Sequence, residues 1–134
     1  MFRRVVISFV LVAAFTGCAS KSDTSSSTTA AQAQTVGPFS VATQFAPDPP
    51  KQGPETITVT VKDAGGNPVK GASVKIVTKM PTMSMSGPTL TTTDNGDGTY
   101  AAQTNLNYAT QWTFDISVSA GARSGVARVV EDVK

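Results

Sequence analysis

Three methionines, Met80, Met83 and Met85, lie within six positions in the sequence KMPTMSMSGP and, with Met1, are all the methionines of the chain. A thioether sulfur is a soft, neutral ligand that suits Cu(I) and Ag(I) and has no proton to lose. In an extended segment, Met83 and Met85 would project to the same side with their α-carbons about 7 Å apart. Met80, which precedes a proline, could supply a third sulfur. Met80, Met83 and Met85 are therefore candidate ligands for weak binding of Cu(I) or Ag(I), the reduced monovalent ions.

The same methionines have two interpretations that need no metal. Met80 shares the parity of Val74 and Ile76, so it fits the core of a strand, and Met83 and Met85 would then cover one end of the fold. An exposed methionine patch is also typical of a protein-binding surface. A metal site requires convergent, accessible sulfurs, whereas a structural role requires burial among Val74, Ile76 and Trp112.

The rest of the composition argues against an enzyme. The 134 residues include no histidine and a single cysteine, Cys18. The usual general base, a disulfide within the chain and a cysteine-rich metal site are therefore excluded. We expect a non-enzymatic protein with no catalytic residues.

The N-terminal residues have the pattern of an export signal. Arg3 and Arg4 precede an almost continuous apolar run over residues 5–15, and Phe15-Thr16-Gly17-Cys18 resembles a bacterial lipobox. This predicts a signal peptide over residues 1–17 and lipidation of Cys18, which would anchor the protein in the cell membrane or the outer membrane with its domain outside the cytoplasm. The alternative is an ordinary signal peptide with a chance cysteine.

Removal of that signal changes the net charge. The eleven basic residues include Arg3 and Arg4, so the mature chain has nine basic and nine acidic residues. A near-neutral chain is not typical of a nucleic-acid-binding protein, and no nucleic acid is expected as a partner.

A polar segment follows the predicted lipidation site. Residues 20–34 read SKSDTSSSTTAAQAQ, with no aromatic residue and no aliphatic residue larger than alanine. Such a composition cannot bury enough surface to fold. It predicts a flexible tether over residues 18–36 that spans roughly 25 Å, followed by one domain over residues 37–134.

That domain has the pattern of an all-β protein. Apolar and polar residues alternate with a period of two in short runs separated by turn residues. These runs are residues 38–45, 55–63, 72–80, 98–106, 111–120 and 121–133. They predict an immunoglobulin-like β-sandwich of about seven antiparallel strands, with Trp112 and its neighbour Phe114 as the core anchor.

One turn has a second interpretation. The sequence DNGDG (94–98) contains closely spaced acidic and amide side chains that can bind calcium. The same five residues contain Asn-Gly and Asp-Gly, which are strong signals for a β-hairpin. Because no glutamate follows at the distance a calcium loop needs, the hairpin is the favoured interpretation.

The sequence as a whole resembles the YtkA-like domain, which is related to FixH-like proteins. The resemblance covers roughly residues 40–120 and depends on MPTMSMSG, NGDGTY and LNYATQW. The residues that match the family's motifs are Met80, Pro81, Met83, Met85, Gly98, Tyr100 and Trp112. Family members often have a further methionine before the tryptophan, where this chain has Tyr108, and a glycine where it has Thr110.

The resemblance implies a small exported or anchored protein of a copper-handling or heavy-metal efflux system. A membrane-bound metal transporter or efflux component would then be the partner. The competing hypothesis is a metal-free protein–protein interaction module of the cell envelope.

Overall fold

Two antiparallel sheets make up the fold in the computed structural model, which describes residues 32–134. The first sheet has the strand order β1-β2-β3-β7-β6 and the second has the order β5-β4-β8-β9. The strands are β1 (Gln32–Val36), β2 (Phe39–Ala46), β3 (Gly53–Asp63), β4 (Ser73–Met80), β5 (Met85–Thr91), β6 (Thr93–Asp94), β7 (Thr99–Leu106), β8 (Gln111–Ala120) and β9 (Arg123–Asp132). The predicted all-β sandwich is confirmed, with nine strands in this part of the chain where about seven were expected.

The core lies between the two sheets because each strand alternates. In β3, Ile57, Val59 and Val61 are fully buried, while the threonines between them face outward. The inward face of β8 contributes an apolar row of four buried side chains to this core. That row consists of Trp112, Phe114, Ile116 and Val118.

Strand β1 lies in what the sequence predicts to be tether. Gln32–Val36 pairs antiparallel with β2, with Gln34 opposite Val41. The Gln34 amide accepts a hydrogen bond from the backbone N–H of Arg128 (3.1 Å) and donates one to its carbonyl oxygen (2.5 Å). The domain therefore begins before residue 37, because a neighbouring strand supplies the order that the composition of this segment lacks. The predicted signal peptide and Cys18 lie outside the described residues.

Strands β5 and β6 have no counterpart among the predicted strands. In β5 only Leu90 is buried, and Gly87-Pro88 interrupts the alternation that would reveal a strand. Proline is tolerated because β5 is an edge strand. The pairing with β4 shifts register between Val77 and Lys79, and at that point Thr78 Oγ1 donates a hydrogen bond to the Pro88 carbonyl oxygen (2.7 Å).

The antiparallel arrangement gives the sandwich two ends of different composition. We call one the methionine end; it consists of the connections over residues 47–52, 81–84 and 107–110 and the C-terminal residues 133–134. We call the other the turn end; it consists of the connections over residues 37–38, 64–72, 95–98 and 121–122. The C-terminal residues are held in place by hydrogen bonds from the Val133 N–H to the Thr110 carbonyl and from the Gln52 N–H to the Lys134 carbonyl.

Candidate functional site

The three clustered methionines lie in one hairpin at the methionine end. Met80 is the last residue of β4, Pro81–Met83 form a single 3₁₀ turn, and Met85 begins β5. Ser84 has a left-handed backbone conformation (φ 52°), and its N–H donates a hydrogen bond to the Pro81 carbonyl (3.1 Å). The extended geometry considered for Met83 and Met85 is therefore wrong, because the chain reverses between them.

Burial divides these methionines into two classes. Met83 and Met85 are 41% and 44% exposed, whereas Met80 is 3% exposed. Met80 and Met85 are direct partners across β4 and β5, so they lie on the same face of the sheet. Met80 therefore fits the structural interpretation, and the other two sulfurs meet the accessibility that a metal site requires.

Trp112 lies beneath this hairpin. It is 1% exposed, and its indole N–H donates a hydrogen bond to the Tyr108 carbonyl (3.0 Å). Its ring stacks on Phe114, with centroids 6.4 Å apart, and Phe114 in turn contacts Phe45 at 5.1 Å. Both predicted anchor residues are thus buried in the aromatic part of the core.

Gly87 allows the hairpin to pack on that tryptophan. A β-carbon at this position would lie 3.0 Å from the Trp112 ring and would overlap Thr78 Oγ1. Only glycine fits such a close approach. The sequence GP signals a break in regular structure, but the contact with Trp112 cannot be seen from the sequence.

The connection between β7 and β8 completes this surface. Thr82 Oγ1 and Thr110 Oγ1 are 2.6 Å apart and share a hydrogen bond, which joins the 3₁₀ turn to residues 107–110. Tyr108, in the same connection, is 43% exposed. Exposed side chains at this end therefore include Met83, Met85 and Tyr108.

Two carboxyl groups at the methionine end are in an unusual environment. Glu55 is 2% exposed, and among the described residues neither of its carboxylate oxygens has a partner at hydrogen-bonding geometry. Burial is the main cause that raises its pKa, and the charge of Asp48 adds to it, while the nearby backbone N–H groups of Lys51 and Ala46 lower it in part.

Burial also raises the pKa of Glu131, with smaller contributions from Asp48 and Asp132. Glu131 is the cross-strand partner of Trp112.

Within the described residues, no three histidine, cysteine, aspartate or glutamate side chains are grouped so that they could hold a metal ion. The carboxylates of the DNGDG segment accept hydrogen bonds from nearby residues, and Asp94 Oδ2 also accepts the Gly71 N–H (2.9 Å) of the connection before β4. Asp94 Oδ1 accepts the Gly96 N–H (2.7 Å), and Asp97 Oδ1 accepts the N–H (3.0 Å) and the hydroxyl (2.5 Å) of Thr99. This segment connects β6 to β7, which is the arrangement of the favoured hairpin interpretation. The thioethers that the sequence analysis singled out are Met80, Met83 and Met85.

A family model described as YtkA-like matches residues 33–117. The chain belongs to the YtkA-like family. The match begins within β1, which is consistent with a domain that starts before residue 37. Membership of this family indicates an envelope-associated domain. Within residues 32–134, no helix has the length and apolar character needed to cross a bilayer.

One solved structure shows the same kind of fold. A DUF4426 family protein from Pseudomonas aeruginosa PAO1 superimposes with a TM-score of 0.54 at 18% identity, covering 75% of this chain and 94% of that one. FdeC, an Escherichia coli adhesin, gives a TM-score of 0.41 at 25% identity over 77% of this chain and 34% of its own. A search of curated proteins found no match. Neither the YtkA-like family nor the DUF4426 family is named for a catalytic activity.

Proposed function

We propose that this chain is a non-enzymatic, lipid-anchored envelope protein that binds Cu(I) or Ag(I) weakly through Met83 and Met85. The observation that carries the proposal is the exposure of these two thioethers, 41% and 44%, in one hairpin whose third methionine is buried. A methionine used as packing has little reason to be exposed. Met83 ends the 3₁₀ turn and Met85 begins β5, so both soft ligands lie where an ion from solvent can reach them.

The ligand chemistry favours a soft monovalent ion. Thioethers are neutral and soft, and they bind Cu(I) and Ag(I) better than Zn(II), Mg(II) or Ca(II). They also remain competent at acidic pH because they have no proton to lose. The chain has no histidine to favour Cu(II).

The number of sulfurs favours weak binding. Met80 faces the core with 3% exposure, so it adds a third sulfur only if the hairpin moves. The family pattern that this sequence resembles has a further methionine where this chain has Tyr108, which leaves at most three thioethers. A site with two accessible sulfurs suits a protein that passes on or buffers metal more than one that stores it.

The N-terminal residues supply the location in this proposal. Lipidation of Cys18 would attach the chain to a bacterial membrane, and the segment between Cys18 and β1 would give the domain reach over the membrane surface. A membrane-bound metal transporter or efflux component is the partner that such a tethered, weakly binding site would serve.

The test is a Cu(I) titration in which the protein competes with a chromophoric chelator whose own affinity for Cu(I) is comparably weak. The chain from Ala19 onward contains every described strand and lacks the Cys18 thiol, which would itself bind Cu(I). We expect competition by the wild type, loss of competition in a Met83→Leu, Met85→Leu double variant, and retention in Met80→Leu, the matched change at the buried sulfur. Failure of the wild type to compete, or equal competition by the double variant, would reject the proposal.

Folding of the variants is checked separately. Since Met83 and Met85 are exposed, their replacement by leucine should change the free energy of unfolding by less than about 0.5 kcal/mol. Equal urea midpoints for the double variant and the wild type would show that lost Cu(I) competition is not lost folding.

A second function is supported by a separate observation. Tyr108, Met83 and Met85 together give the methionine end an exposed apolar surface, which is typical of a metal-free protein-interaction module. Under this alternative, the double leucine variant would still bind an envelope partner, because leucine keeps the apolar contact, and Tyr108→Ser would lose it.

A further inference from the structure

The contrast in burial among the methionines has a consequence for oxidation. A thioether is converted to a sulfoxide by peroxide or hypochlorous acid, and its susceptibility follows its exposure to solvent. Met83 and Met85 are exposed, whereas Met80, five positions or fewer away, is 3% exposed. The same short segment thus contains two reactive thioethers and one protected thioether.

We propose that Met83 and Met85 form a reversible oxidation site whose modification releases the soft metal while the fold stays intact. In the reaction with hydrogen peroxide, the sulfur lone pair attacks one peroxide oxygen, the O–O bond breaks and water leaves. The sulfur loses two electrons and gains one oxygen atom, and the peroxide is reduced. A methionine sulfoxide reductase with a thiol reductant returns the thioether and releases the oxygen as water.

The contacts that hold the hairpin do not involve the exposed sulfurs. No residue of the 3₁₀ turn Pro81–Met83 is buried. The hairpin is held by the hydrogen bond from Thr78 to Pro88, by the approach of Gly87 to Trp112 and by the hydroxyl contact between Thr82 and Thr110. Because Met83 and Met85 are partly open to solvent and make none of these contacts, we expect an added oxygen on either sulfur to be hydrated and to leave the contacts unchanged.

Oxidation of Met80 would have the opposite effect. Its side chain belongs to the hydrophobic core cluster together with Trp112 and Leu90. A polar sulfoxide at this position would be buried in an apolar cluster without a hydrogen-bond donor provided for its oxygen, which destabilises the folded state. The burial of Met80 therefore protects the fold, while oxidation of the exposed Met83 and Met85 changes metal binding.

The effect on metal binding follows from the change of ligand, and this part of the inference rests on the proposed function. A sulfoxide is polar, and because its sulfur has given one lone pair to oxygen and is positively polarised, it is a much weaker donor to Cu(I) and Ag(I) than a thioether. With both exposed thioethers oxidised, the buried Met80 sulfur is the one unmodified thioether left in the hairpin. We expect complete loss of Cu(I) competition, as in the double leucine variant.

The experiment treats the chain from Ala19 onward with hydrogen peroxide and locates the added oxygen by tandem mass spectrometry. The expected result is one oxygen on each of Met83 and Met85 while Met80 remains unmodified. In urea-unfolded protein all three should be oxidised alike, which is the control for intrinsic reactivity. The far-UV circular dichroism spectrum and the urea midpoint of the natively oxidised protein should match those of the reduced protein.

Oxidation of Met80 at the same rate as Met83 and Met85 in folded protein would overturn the proposal, as would unfolding on oxidation of the exposed pair. The metal step is tested by Cu(I) titration of reduced, oxidised and enzymatically re-reduced protein, with loss and then recovery of competition expected. Undiminished competition after oxidation would overturn the regulatory step. Failure of the reduced protein to compete would instead reject the proposed function, and the mass-spectrometric result does not depend on it.

Discussion

Carboxyl groups at the two ends of the sandwich lie in opposite environments. At the turn end, carboxylates accept hydrogen bonds from their own loops: Asp63 Oδ1 accepts the N–H groups of Gly65 (2.9 Å) and Asn67 (3.0 Å). These hydrogen bonds lower the pKa of Asp63, and the bond from the Asn67 N–H has the largest effect. Hydrogen bonds from Thr99 lower the pKa of Asp97. At the methionine end, burial raises the pKa values of Glu55 and Glu131.

Polar side chains at the turn end have hydrogen-bond partners, whereas the buried carboxyl group of Glu55 at the methionine end has no partner at hydrogen-bonding geometry among the described residues. Polar groups in stable turns find partners within a few residues, which is the normal state of a folded chain. The methionine end instead combines the buried carboxyl group of Glu55 with exposed methionine and tyrosine side chains. Departures from local consistency are expected where a protein performs its function.

Each end also has its own buried aromatic residue. At the turn end, the Tyr100 hydroxyl donates a hydrogen bond to the Val69 carbonyl (2.7 Å) and accepts one from the Ala72 N–H (2.9 Å), so it fixes the connection before β4. At the methionine end, Trp112 acts mainly by packing, with one hydrogen bond to the Tyr108 carbonyl. The two residues therefore stabilise their ends by different physical means.

The largest effect is expected at the methionine end. Trp112→Ala removes the surface on which the hairpin packs and leaves a cavity in the core, and it should reduce the free energy of unfolding by about 3–5 kcal/mol. Urea denaturation followed by circular dichroism measures the loss, with Trp112→Phe as the control that keeps an aromatic ring. A loss below about 1 kcal/mol would show that Trp112 does not anchor this end.

A smaller effect is expected at the turn end. Tyr100→Phe keeps the ring but leaves the Ala72 N–H and the Val69 carbonyl without their partner, and it should reduce the free energy of unfolding by about 1–3 kcal/mol. The same urea experiment measures it. An unchanged midpoint would mean that the hydroxyl does not hold this connection, and the contrast between a packed end and a hydrogen-bonded end would fail.

The smallest effect concerns the dependence of stability on pH. Because the pKa of Glu55 is raised in the folded state, the folded protein retains a proton that the unfolded chain has released above about pH 4. Stability should therefore fall as pH rises from there through the raised pKa of the folded state. Glu55→Gln removes this contribution and should increase the urea midpoint at neutral pH, with little change below about pH 4.

Asp97→Asn, at the turn end, provides the opposite case. Its pKa is lowered in the folded state, so its contribution is present above about pH 4 and is lost as pH falls through the lowered value. The two variants should thus alter the pH profile with opposite signs. Profiles that change in the same direction would contradict the contrast between the ends.

The sheets could be predicted from the sequence because their signal is local. Residues 55–63 and 111–120 alternate with a period of two, and these runs became β3 and β8. Strand β1 could not be predicted, because QAQTV has the composition of a tether and the amide of Gln34 is bound to Arg128, a residue 94 positions further along the chain. Strand β5 was missed because a single buried residue, Leu90, leaves no period to detect.

The candidate site could be predicted in position but not in detail. The clustering of the methionines is visible in the sequence, and the parity of Met80 with Ile76 indicated its burial. The 3₁₀ turn, the register shift in β4 and the contact of Gly87 with Trp112 depend on tertiary packing, and they determine which sulfurs are accessible. Glu55 could have been noticed, since it shares the parity of Ile57 and Val59, which face the core.

The hydrogen bonds of Gln34 cover part of an exposed sheet edge, which reduces pairing between strands of different molecules. Strand β9 lies at the edge of its sheet, and an exposed edge offers unpaired N–H and carbonyl groups to any strand of another molecule. The amide of Gln34 engages both backbone groups of Arg128, as a neighbouring strand would. A foreign strand would have to displace it, so the middle of β9 is a poor template for aggregation.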